Sequence, residues 1–155
     1  MKILVVSDSH GCYDILDKII RNQPNAEVVL FLGDGEGEFE SLKLKYPEKM
    51  FIGVKGNNDF CCSLPLCEER TIEGKKIFMT HGHTCGVKHG LQRLKAEGRR
   101  CGADIVLYGH THVPHIEYED GIYVMNPGAA MKYCQYYGVI DIQNGDILMN
   151  TAEYR

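Results

Sequence analysis

Seven side chains with nitrogen or oxygen donors recur along the chain: Asp8 and His10, Asp34, Asn57, His81, and His110 with His112. Each group follows a short apolar run and has a glycine beside it. An Asp-x-His pair can aim both side chains at one point if the chain kinks, and Gly11 permits the kink. Gly33 and Gly35 let the backbone approach whatever Asp34 holds. Singly, each group has an ordinary explanation: Asp8 as a helix cap, Gly56-Asn57-Asn58-Asp59 as a turn. Together they do not, because buried carboxylates and imidazoles arriving from separate strands are costly unless compensated. Two divalent cations would compensate them, and two aspartates offset only half their charge, leaving a centre that draws phosphate. Oxygen and nitrogen donors without thiolate suit manganese, with iron, zinc, nickel or magnesium as alternatives.

The elements that must position these residues follow from the apolar pattern. Ile3 to Val6, Glu27 to Leu32, Met50 to Val54 and Ile105 to Tyr108 have the length and composition of strands buried on both faces. Open α/β sheets place ligands just past such strand ends. Ile15, Leu16, Ile19 and Ile20 recur at helical spacing, which predicts a helix over Tyr13 to Asn22. A second helix is expected over Glu38 to Lys45. A third includes Leu91 and Leu94 and is expected to end at Gly98. Arg70 to Ile72 and Lys76 to Thr80 form an expected hairpin at Glu73-Gly74, after an irregular loop from Phe60 to Glu69. Asp120-Gly121 and Asn144-Gly145 mark two more hairpins. Thus the first two thirds read as βα units and the last third as antiparallel strands, with no linker or internal repeat.

Composition bounds the function classes. The chain has 155 residues, about one domain, with 44% hydrophobic and 25% charged residues, as in a soluble globular protein. A formal net charge of −4 without a basic run argues against a nucleic-acid face, though not against a nucleotide in a pocket. No apolar run reaches membrane-spanning length, and Met1-Lys2 leads directly into the first strand with no signal segment. Seven cysteines, an odd number without a Cys-x-x-Cys pair, read as reduced thiols in a cytoplasmic protein.

The order Asp-x-His, Gly-Asp, Gly-Asn, His, Gly-His-x-His resembles that of the calcineurin-like metallophosphoesterases, and of their small single-domain bacterial and archaeal phosphodiesterases. The resemblance runs from Lys2 to about Gly128. It implies a four-layer αββα sandwich, two mixed sheets flanked by helices, formed by residues 1–155 as one domain. It implies that Asp8, His10, Asp34 and His112 hold one metal. Asp34, Asn57, His81 and His110 would hold the other, with Asp34 bridging. The activity implied is hydrolysis of a small phosphate ester or nucleotide, by attack of a hydroxide shared between the two ions.

Two further positions are candidate catalytic residues. Larger family members carry a histidine after the ligand asparagine, where it helps protonate the leaving group; here that position is Asn58. His83, two residues past a ligand, is placed to touch substrate or support the metal ligands, the alternative being a solvent-facing loop histidine. His89 and His115 read as surface residues. Tyr13, Asp59 and the Phe60–Cys67 loop are expected at the rim, and Asn126-Pro127-Gly128 as a structural turn. The alternative functions are a nuclease of the same chemistry, and a non-catalytic scaffold similar to the retromer subunit of this fold. A homodimer through the tyrosine-rich Tyr133–Tyr137 segment is a further expectation.

Overall fold

A computed structural model describes all residues, 1–155, as two packed sheets with helices outside. Strands β1 (Lys2–Val6), β2 (Val28–Phe31) and β3 (Met50–Gly53) pair in parallel, joined by α1 (Tyr13–Arg21) and α2 (Glu36–Lys45). The chain then leaves for the second sheet. There β4 (Cys67–Ile72) and β5 (Lys75–Thr80) form a hairpin, and α3 (Gln92–Arg100) leads to β6 (Ile105–Leu107). Strands β7 (His115–Glu119) and β8 (Ile122–Asn126) complete that sheet in the order β4-β5-β6-β8-β7. The chain returns through β9 (Ala130–Met131), β10 (Cys134–Gln143) and β11 (Asp146–Glu153). Strand β10 inserts antiparallel beside β1, giving the order β11-β10-β1-β2-β3 with β9 paired to β10.

Alternation along the buried strands explains the four layers. Ile3 and Val5 of β1 face the second sheet and join Leu30, Ile77, Met79, Ile105, Leu107 and Met125 in the central core. Leu4 and Val6 point the other way, onto Leu16, Ile19 and Ile20 of α1 and Phe39 and Leu42 of α2. Phe78, Val106 and Val124 pack under Leu94 of α3. A strand with apolar residues at every position therefore feeds two cores at once, as its continuous apolar run predicts. Outside the cores, Asp17 ties α1 to the end of α2: it accepts from Lys45 Nζ and from Tyr46 Oη, each at 2.7 Å.

Several boundaries differ from expectation. Gly98 does not end α3; it lies inside the helix, and a Cβ there would strike Val106 Cγ2. The glycine serves close helix-to-sheet packing, and the helix runs on to Arg100. Strand β4 starts at Cys67, because Cys67 to Glu69 pair with Phe78 to Thr80 although their side chains are largely exposed. The last third is not wholly antiparallel, since β8 lies parallel to β6.

Candidate metal centre

Every expected donor lies at one end of the two sheets. Asp8 and His10 follow β1, Asp34 follows β2 and Asn57 follows β3; His81 follows β5, and His110 and His112 follow β6. Five of the seven, Asp8, His10, Asp34, His110 and His112, have φ between 44° and 67°. That left-handed conformation costs a side-chain-bearing residue about 1–2 kcal/mol, and such strain persists where surrounding structure over-determines it. Here the Asp8 N–H donates to Gly33 O at 2.9 Å and the His10 N–H to Asp34 O at 3.0 Å. The β1 and β2 tips thereby hold each other in place.

Two overlapping donor clusters result. In the first, His112 Nε2 lies 3.2 Å and His10 Nε2 3.8 Å from Asp8 Oδ1, and the two imidazole nitrogens are 3.3 Å apart. In the second, His81 Nε2 lies 3.9 Å from Asp8 Oδ1 and 3.5 Å from Asp34 Oδ2. Asp34 Oδ2 is also 3.7 Å from His10 Nε2, so it faces histidines of both clusters. Asn57 Oδ1 is 3.1 Å from His81 Nε2. The His110 ring stands 5.0 Å from that of His81, centroid to centroid, and the His110 N–H donates to Asp8 Oδ2 at 3.1 Å.

The local chemistry fits a cation. Asp8 is fully buried, and while its Oδ2 accepts from Ser7 Oγ at 2.5 Å, its Oδ1 has no hydrogen-bond partner. A buried carboxylate oxygen without a partner needs a counter-charge. His81 is also buried, with Nδ1 2.6 Å from Leu32 O; a neutral ring donating there would offer its Nε2 lone pair to a cation. Burial alone would raise the Asp34 pKa, but contacts from His81 and Asn58 outweigh it and hold the carboxyl well below its usual range. The adjacent Asp8 carboxylate raises His112, whereas burial lowers His110 and His83.

Residues around the donors divide into braces and rim. The Asn58 N–H and side-chain amide both donate to Asp34, at 2.8 and 2.7 Å. Asp59 lines the recess beside the donors and is also a brace: its carboxylate accepts four backbone N–H groups, from Asp34, Gly35, Glu36 and Gly56, at 2.7–3.0 Å. Glu38 Oε1 accepts from Ser9 Oγ and the Gly11 N–H, pinning the turn that carries His10. Asn126 is buried and donates to Gly109 O and Thr111 Oγ1, both at 2.9 Å, bracing the His110–His112 turn from its own turn. Tyr13 packs in the helix-side core. Phe60 lines a recess of about 380 Å³ with His10, Asp34, Glu36, Glu38 and Asn58. His83 is half-buried, its Nδ1 lacks a partner, and its ring is 5.4 Å from that of His81. His89 is exposed, while His115 is half-buried with Nε2 3.3 Å from Glu117. The sequence reading missed Ser7, which donates to its neighbour Asp8, and Ser9 and Glu38, which meet across 29 residues of chain.

A four-layer αββα sandwich whose sheets bring carboxylates and imidazoles to one end defines a metal-dependent phosphoesterase architecture. The chain belongs to the calcineurin-like phosphoesterase superfamily, a hydrolase family, whose domain model matches residues 1–145. A phosphodiesterase of Methanocaldococcus jannaschii is 31% identical over 154 residues, covering 86% of each chain. A Streptococcus pneumoniae protein described as a predicted phosphoesterase superposes with a TM-score of 0.81 at 28% identity, covering 98% of this chain and 88% of that one. Vps29 of Chaetomium thermophilum shares the fold with a TM-score of 0.79 at 20% identity, over 98% of this chain and 95% of its own.

Proposed function

We propose that this chain is a dinuclear metal-dependent phosphodiesterase acting on a small phosphate ester or nucleotide. The observation that carries the reading is the orphaned Asp8 Oδ1 beside an Asp34 oxygen that faces histidines of both clusters. Asp8, His10, Asp34 and His112 would hold one ion; Asp34, Asn57, His81 and His110 the other. Manganese suits these donors best, with iron, zinc, nickel or magnesium as alternatives. Bound divalent ions would supply Lewis acidity toward a phosphoryl oxygen and acidify water.

The chain's own residues then have distinct tasks. The Leu32 carbonyl fixes the orientation of the His81 imidazole before substrate arrives. Asn58 is spent on orienting Asp34, and an amide is no proton donor to a leaving alkoxide. His83, its ring 5.4 Å from that of His81, is the candidate to touch the substrate. The recess beside His10 and Asn58 is large enough for one arm of a small diester and opens onto Phe60.

No helix is long and apolar enough to cross a membrane. The seven free thiols are consistent with a reducing cytoplasm, and an exposed Tyr133 with a homodimer. Complete donor sets favour hydrolysis over a scaffold role, because a binding scaffold has little use for them. The test is turnover of bis(p-nitrophenyl) phosphate, p-nitrophenyl phosphate and single-stranded DNA by manganese-loaded and chelated protein. Metal-dependent turnover with the diester fastest is expected. Two bound ions without hydrolysis of any of these would sink the enzyme reading, and faster cleavage of DNA would favour the nuclease.

A further inference from the structure

We propose that Asp59, whose carboxylate bonds backbone N–H groups alone, is the positioning residue that sets how far apart the two metal positions stand. The inference rests on the dinuclear reading above. Asp59 lies between two loops that must meet without a side chain between them. A Cβ on Gly33 would come within 2.5 Å of Gly56 N, and one on Gly56 within 2.6 Å of Asp34 N. Backbones this close present N–H groups to one another and need an acceptor between them. The Asp59 carboxylate supplies it. Oδ2 accepts from Asp34 N at 2.8 Å and Gly56 N at 2.7 Å; Oδ1 accepts from Gly35 N at 2.9 Å and Glu36 N at 3.0 Å.

The consequence is specific to Asp34. Its backbone is fixed by Asp59 and its carboxylate by Asn58, so the tetrapeptide from Gly56 to Asp59 grips the bridging residue at both ends. The same grip sets Asn57, the donor of one ion only, relative to Asp34. The opening turn of α2 adds Gly35 and Glu36 to the donors, where a carboxylate is also favoured by the helix dipole. Loosening Asp59 would therefore let Asp34 drift and disturb the shared position more than the terminal donors His10 and His112.

Substituting Asp59→Asn places an NH₂ against one pair of N–H donors, and Asp59→Glu keeps the charge but displaces both oxygens by one carbon. Calorimetric titration with Mn(II) should show the weaker of two affinities falling at least about tenfold in D59N, as for other residues that orient metal ligands. D59E should lose several-fold. Electron paramagnetic resonance should show a spin-coupled manganese pair in the parent protein and mainly uncoupled ions in D59N. Leu16→Ala, a cavity under α1 away from the site, should lower the melting temperature while leaving both affinities unchanged.

Affinities in D59N within twofold of the parent would overturn the inference. So would full retention in D59E beside loss in D59N, which would assign the effect to charge. An equal loss in L16A would show that affinity tracks stability alone. If D59N does not fold, D59E against L16A decides the matter. A parent protein that binds fewer than two ions would instead refute the dinuclear reading itself.

Discussion

At the donor end of the sandwich, Asp8, His10, Asp34, His110 and His112 have positive φ; at the opposite end, Glu73, Asp120 and Asn144 do too. The hairpin residues each precede a glycine, also at positive φ, and close two-residue turns. Their side chains are exposed, with Asp120 meeting only Arg99 in a surface ion pair. At the donor end glycine would remove the strain and the function together, because the side chain is what the position exists to present. One conformation thus serves to reverse the chain in one place and to aim a donor in the other. Only at the hairpins is the residue type negotiable.

The largest test of this contrast is Asp34→Asn. Turnover should fall by about 10³-fold or more, and metal content should drop further than in His10→Ala. Unchanged metal content with appreciable activity would remove Asp34 from its bridging place. Next come His10→Gly and His10→Ala, which lose the same donor but differ in strain. The glycine variant, chelated, should be the more stable by about 0.5–1 kcal/mol, with metal binding weakened equally in both. Equal melting temperatures would mean that His10 is not strained.

A change remote from both ends supplies the scale. Burial and the bond to Asp17 push the Tyr46 hydroxyl up to about 12. A group raised above its unfolded value near 10 stabilises the fold fully below pH 10 and loses that effect as pH climbs through 12. Tyr46→Phe should therefore cost about 1 kcal/mol at neutral pH, with the deficit shrinking between pH 10 and 12 and metal affinity unaltered. A deficit that stayed constant over that range would place its cause elsewhere. The smallest effect is expected at a hairpin: Glu73→Asn should gain a few tenths of a kcal/mol and leave turnover untouched. A loss of turnover there would break the distinction between the two ends.

Much of this was readable in the chain because the informative features are local. Ile3 to Val6 is apolar at each position because β1 serves two cores, and its end can be read where Asp8 and His10 appear. The three turns at Glu73-Gly74, Asp120-Gly121 and Asn144-Gly145 are visible as dipeptides because their conformation lies within two residues. The bracing role of Asp59 was hidden for the opposite reason: three of its four partners are 23 to 25 residues away, and Gly-Asn-Asn-Asp looks like any turn. Gly98 misled because a glycine that ends a helix and one that admits a neighbouring strand are identical in sequence. The placement of β10 beside β1 depends on a pairing across more than 130 residues, Lys2 with Asp141, which no local pattern encodes.

The donors come from both sheets: Asp8, His10, Asp34 and Asn57 from one, His81, His110 and His112 from the other. The bond between His81 Nδ1 and Leu32 O already crosses that seam. A cation seated there acts as a rivet through two plates, so its binding energy is also energy opposing their separation. At a free concentration a thousand times the dissociation constant, one such ion adds about 4 kcal/mol to the unfolding free energy. Amide hydrogens on both sides of the seam, at Gly33 and at Gly109, should then exchange more slowly together when metal is added, and faster together when it is withdrawn. For this chain, metal starvation would weaken the joint between its halves as well as its chemistry.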